Sequence, residues 1–263
     1  MATSKNSQIF QTLVVALVIG AAVFFAYYIS DAQWAWLVNV GLLALLCVVL
    51  GIWIMKLPEG ILISNRNLMS LSRLQVVCWS LIIFSGYIVV VMQRLHHLPT
   101  QDPLAITIDP KLWAVLGISF ASFVGTPLIL NTKTLDTPSA KSIQSASLVL
   151  KEPSSEIKQN AEGKLYSNPS PEDARFSDIF QGDEIGNTAY VDLSKVQMFI
   201  LTALLMAAYC SDMWHMLDKT QLGTEFQNLN HLPPLTANML QLLALSHAGY
   251  LSFKAVSHTD TAT

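Results

Sequence analysis

Six long stretches of this 263-residue chain carry almost no charge, and that constrains the fold more than any other feature. They run over about 10–30, 34–55, 74–93, 112–130, 196–217 and 235–253. Each is close to the roughly 20 apolar residues an α-helix needs to cross a hydrocarbon layer about 30 Å thick. Of the 15 basic and 18 acidic residues, only Asp212 falls inside a stretch, near an end where water or headgroups reach it. The pattern predicts an all-α fold, a polytopic transmembrane bundle of about six helices in the lipid bilayer. Composition agrees: charged residues make up 13%, about half the usual share of a soluble domain. A net charge of -3 without a basic stripe leaves no electrostatic track for nucleic acid.

The first stretch is too long for a signal-peptide core and runs into Tyr27-Tyr28-Ile29-Ser30-Asp31, so it reads as a retained anchor. Lys and Arg set the orientation. With both termini inside, Lys5, Lys56, Arg66, Arg73, Lys195, Lys254 and the six bases of the long polar loop lie inside, against Arg94, Lys111 and Lys219 outside. The expectation is an inner-membrane protein, N-in and C-in, with Trp34, Trp36, Trp113 and Trp214 as outer interface anchors. The chain divides into an N-terminal hairpin (1–56), a second hairpin (57–131), a cytoplasmic loop (132–191) and a third hairpin with a short tail (192–263).

The second and third hairpins share residues in the same order. Ser70-Leu71-Ser72-Arg73-Leu74-Gln75 corresponds to Asp192-Leu193-Ser194-Lys195-Val196-Gln197, and Tyr87 and Tyr209 follow at equal distance. Leu116-Gly117-Ile118-Ser119-Phe120-Ala121 corresponds to Leu243-Ala244-Leu245-Ser246-His247-Ala248. His97-Leu98-Pro99 and His231-Leu232-Pro233 recur in the outer loops. The expectation is two parallel hairpin repeats, related by an axis along the membrane normal. Ser-x-x-Gln has two explanations: a capping box at a helix start, or a polar ring of Gln75 and Gln197 at a pore mouth. Gly117, Ala121 and Gly125, with Ala244, Ala248 and Ser252, form small-residue stripes that let backbones approach closely, within the chain or in a homo-oligomer.

In the loop, 134–171 has a composition that predicts flexibility. Phe176, Ile179 and Phe180 are spaced for a short amphipathic helix. Asp178, Asp183 and Glu184 lack EF-hand spacing and are expected to be a solvated acidic turn rather than a divalent-ion site. Residues 132–191 could also hold a segment that binds a soluble partner. Cys47, Cys78 and Cys210 lie in apolar stretches and form no C-x-x-C, so neither disulfide nor zinc is expected. No cofactor motif is present.

His247 is the one ionisable group deep in an apolar stretch, a functional-site signal by default. It reads as a pore-lining or gating group, or as a neutral imidazole bonded to Ser119 or Tyr87. Tyr87 and Tyr209 suit helix-to-helix clasps. Six spans, a Gly-x-Ser on the fourth (Gly117-Ile118-Ser119) and a His on the sixth resemble rhomboid intramembrane proteases. That resemblance implies Ser119 as nucleophile and His247 as base. Three departures weigh against it. Phe120 stands where the family has Gly, its His-x-x-x-Asn motif is missing, and the repeat already accounts for Ser119. Ser-[Arg/Lys]-[Leu/Val]-Gln together with Leu-Ser-His-Ala-Gly-Tyr-Leu resembles motifs of a family of bacterial multi-pass inner-membrane proteins of unknown function. The likeness covers about 70–130 and 176–256 and implies a bundle without an activity. The leading expectation is a non-enzymatic, oligomeric pore or channel-like assembly. The alternatives are a membrane-anchored sensor or adaptor working through the loop, a secondary transporter and, last, an intramembrane serine protease.

Overall fold

The computed structural model describes residues 5–218 and 229–262; Lys219 and the side chain of Lys5, both used in the orientation count, lie outside the part described. Among the described residues the chain forms eight α-helices and no strands: α1 (Lys5–Tyr28), α2 (Ala32–Met55), α3 (Leu71–His97), α4 (Pro110–Asn131), α5 (Ala140–Leu150), α6 (Ser154–Asn160), α7 (Leu193–Met216) and α8 (Ala237–Ala255). Among the described residues, β-type pairing outside the helices is limited to isolated bridges. Five helices, α1–α4 and α7, are long and apolar enough to cross a membrane, so this is a multi-pass membrane protein. The expectation of six is met in five. Asn238, Gln241, Ser246 and His247 dilute the apolar content of α8.

The chain forms two compact units that cut across the order of its hairpins. One comprises Met1–Pro58, Cys78–Trp113 and Met206–Leu235; the other comprises Glu59–Val77, Ala114–Leu205 and Thr236–Thr263. In the first, Asp31 stops α1 and starts α2 by accepting from the Gln33 and Trp34 amides. Gln93 donates to the Ala26 and Ile29 carbonyls, both at 2.8 Å, satisfying acceptors that the end of α1 leaves open. Trp79 and Tyr209, both fully buried, meet edge to face, and Tyr87 is only half-buried. The three cysteines are free and half-buried.

The second unit carries the long loop, which differs most from its sequence reading. The stretch expected to be flexible contains α5 and α6. Ile143 and Ala146 of α5 and Ile157 of α6 form a core with Leu68, Tyr166 and Ile185. Gly163 adopts φ +63, and a Cβ there would meet the Thr134 carbonyl oxygen at 2.3 Å, so the turn demands glycine. The expected amphipathic helix is a 3₁₀ turn, Phe176–Phe180, with Ile179 buried and Phe176 exposed. A second cluster joins Leu71, Ile179, Met198 and Tyr250.

Burial also resets the correspondence between the hairpins. Ser72, Gln75, Trp79 and Ile82 are buried on α3; Lys195, Met198, Thr202 and Leu205 are buried on α7. Val115, Ser119, Ser122 and Thr126 on α4 match Leu243, His247, Tyr250 and Lys254 on α8. In both cases the buried faces align one residue later than the sequence identities do. Gln75 is buried while Gln197 is exposed, so the two do not share one environment within the chain. The expected capping boxes are also replaced. Asp192 Oδ1 caps α7 by accepting from the Ser194 and Lys195 amides, and Gln75 donates to Thr202 Oγ1 at 2.7 Å.

Candidate functional site

The inward face of α8 is polar. Ser246, His247, Tyr250 and Lys254 are buried, whereas Leu242, Leu245, Phe253 and Val256 are exposed. This inverts the arrangement of a soluble amphipathic helix and suits a lipid-facing exterior. Ser246, Tyr250 and Lys254 stand at i, i+4 and i+8, and His247, Tyr250 and Lys254 at i, i+3 and i+7, so helical period puts the four groups on one broad face. The facing column on α4 is Ser119, Ser122 and Thr126, buried to 1%, 1% and 9% exposure.

The two columns meet in layers. His247 Nδ1 lies 2.6 Å from Ser122 Oγ, and Thr126 Oγ1 donates to Tyr250 Oη at 3.2 Å. The Tyr250 hydroxyl also bonds Ser72. The partners expected for His247 were Ser119 or Tyr87; the structure gives it Ser122, because α4 is turned so that Ser122 faces α8. Tyr87 and Tyr209 belong to the other unit. Among the described residues, Gln75 Oε1, Ser119 Oγ, Ser246 Oγ and His247 Nε2 are buried without a partner. Without water to satisfy it, each such atom costs roughly 1–3 kcal/mol.

The serine–imidazole contact is within reach for proton transfer. It does not reproduce the Ser119–His247 pair implied by the rhomboid resemblance. Ser122 also sits in helix interior, where neighbouring amides are engaged in the helix ladder.

Below Tyr250 the column ends in a buried ion cluster that the sequence reading missed. Asp183 receives Arg66 Nη2 at 2.6 Å, Lys195 Nζ at 3.2 Å and Lys254 Nζ. Burial alone would raise the Asp183 carboxyl, but Lys195, Lys254 and Arg66 outweigh it and hold the group well below the usual carboxylate range. Glu184 takes Lys133 at 2.5 Å and the His258 amide at 2.9 Å. Lys133 also donates to the Lys254 and Val256 carbonyls at the end of α8. Asp178 accepts from the Met69 and Arg175 amides, and burial pushes its carboxyl up. The expected solvated acidic turn is thus a set of buried, partnered carboxylates. Among the described residues no group of three or more His, Cys, Asp or Glu could hold a metal ion.

The small-residue stripes point away from the α4–α8 contact. Gly117, Ala121, Ala244, Ala248 and Ser252 are exposed, and only Gly125 packs within the chain, against Leu251. Of the groups in the columns, Ser122, Thr126, Tyr250 and Lys254 were not singled out from sequence. Their spacing at helical period inside apolar stretches was the available signal. No family model, curated protein or solved structure matches the chain.

Proposed function

We propose that the protein is a non-enzymatic, channel-like membrane assembly in which the α4–α8 column forms a water-accessible polar path. One observation carries this reading: Ser119 Oγ, Ser246 Oγ and His247 Nε2 are buried without partners on the faces that also bear Ser122 and Tyr250. Water inside the bundle would satisfy all three, and lipid would satisfy none. Irregular or polar groups at membrane depth are tolerated where they line such a cavity. In this reading α8 is the sixth span. Its 19 residues reach about 28 Å, close to the hydrocarbon thickness. The two later hairpins are parallel repeats, both termini face the cytoplasm, and the membrane is the inner membrane. The outward Gly117–Ala121 and Ala244–Ala248–Ser252 stripes are the surfaces through which copies associate.

The test is ion flux in proteoliposomes, wild type beside His247→Ala, across pH 5–8. The reading expects flux that the substitution alters. Absence of wild-type flux across salts and pH would reject the path.

An adaptor reading draws on a different observation. On α5, Leu148 and Val149 are exposed, while Ile143 and Ala146 are buried. A partner docking there would be lost on Leu148→Glu, which the channel reading expects to leave flux unchanged.

A further inference from the structure

The second unit contains a cavity of about 280 Å³ beside the ion cluster. The last turns of α4 form one wall, where Val124 and Leu128 are 52% and 63% exposed. The opposite wall is polar: Ser64, Ser70, Ser72 and Arg73, before and within the first turn of α3. Four of its ionisable lining groups are cations: Arg66, Arg73, Lys195 and Lys254. Three are acids, of which Glu162 is exposed.

The cations around this cavity are not equally partnered. Asp183 pairs with Arg66, Lys195 and Lys254, and the buried Asp192 carboxylate also acts on the two lysines. Asp178 directs Oδ2 at two backbone amides. Arg73 has one long bond, from Nη1 to the Ile61 carbonyl at 3.4 Å, and lies over the Phe123 ring at 5.6 Å. Four of its five N–H donors are therefore open to another acceptor. The Ser64 hydroxyl, which also lines the cavity, is buried and has no partner among the described residues. A guanidinium fork held in no ion pair and a free hydroxyl donor are the chemistry that recognises a phosphate oxygen triad.

We propose that this cavity binds a phosphate group borne by an anionic amphiphile, with the headgroup at Arg73 and Ser64 and the acyl chain along Val124 and Leu128. The apolar wall favours a lipid over a soluble phosphate ester, because α4 exposes those side chains beside the polar wall. This inference does not rest on the channel reading, since binding is measured without flux.

The experiment uses the full chain in nonionic detergent. Thermal melting is followed while phosphatidylglycerol, phosphatidylcholine or inorganic phosphate is titrated in. Phosphatidylglycerol is expected to raise the melting temperature saturably, with the other two far weaker. Arg73→Gln is expected to weaken its apparent affinity about tenfold, equivalent to about 1.4 kcal/mol. Ser64→Asp, which adds a repelling carboxylate at the same wall, gives the same loss and serves where Arg73→Gln does not fold. If inorganic phosphate matches phosphatidylglycerol at equal concentration, the amphiphile is overturned and a soluble phosphate ester takes its place. Equal responses to the two lipids, or an unchanged phosphatidylglycerol affinity in a folded variant, overturn the site.

Discussion

Asp183→Asn isolates the cost of leaving buried cations uncompensated. The wild-type carboxylate meets Arg66, Lys195 and Lys254, whose side chains are only 7%, 6% and 2% exposed. Asparagine keeps the shape and can accept a hydrogen bond, but it supplies no charge. Removing one partner of a buried ion pair costs about 3–5 kcal/mol. At roughly 2–4 °C per kcal/mol for a chain of this size, the melting temperature in detergent should fall by roughly 6–20 °C. The pH dependence gives a second measurement with a fixed sign. Asp183 is held below its unfolded value of about 3.9, so the unfolded chain takes up the proton first as pH falls. Its stabilisation is complete above about pH 4 and is lost as pH drops through the folded value. Wild type should therefore lose melting temperature on acidification, and Asp183→Asn should lose that component of the slope. A variant that melts within about 2 °C of wild type, with an unchanged acid slope, would refute the charge argument.

Gly117→Leu should leave the melting of the isolated chain unchanged, because a Cβ at Gly117 meets nothing within 4 Å. The same change should reduce assembly size in size-exclusion chromatography with light scattering; an unchanged size would reject the stripe as an interface. Deleting 134–171 should abolish the folded monomer, because it removes Ile143, Ile157 and Tyr166 from the core and Lys164, which donates to Ser257 Oγ at 3.2 Å. A deleted chain with a sharp, cooperative melt would show that the loop is an appendage.

Five spans were legible from the sequence because their cause is one-dimensional: a helix must stay apolar for the thickness of the bilayer. The packing of the long loop was not legible. Lys133, Lys254 and Arg66 are far in sequence from Glu184 and Asp183, so charges that look solvated one segment at a time neutralise one another in the fold. His247 was recognised as an unusual group, but its partner was assigned from neighbouring motif positions. Helix rotation decides that pairing, and here it selects Ser122 over Ser119, one turn apart. The one-residue offset between shared identities and buried faces has the same origin. Identity marks common ancestry or composition, whereas burial marks which side of a cylinder meets its neighbours.

The buried polar groups of the second unit fall into two kinds, and in the proposed channel reading the difference separates scaffold from path. At the Asp183 and Glu184 end, the carboxylates meet cations, and Lys133 also closes the last carbonyls of α8. Groups so partnered hold the loop to the ends of α4 and α8. Further along the same faces the groups are neutral and only partly used. Ser122 and His247 share one contact, while Ser119 Oγ, Ser246 Oγ and His247 Nε2 have none. Ala or Leu in place of such an orphan would relieve its desolvation cost without creating a new one. Several of them on facing helices, beneath an exterior of Leu242, Leu245 and Phe253, form the arrangement the proposed path expects, in which water or a solute completes the hydrogen bonds.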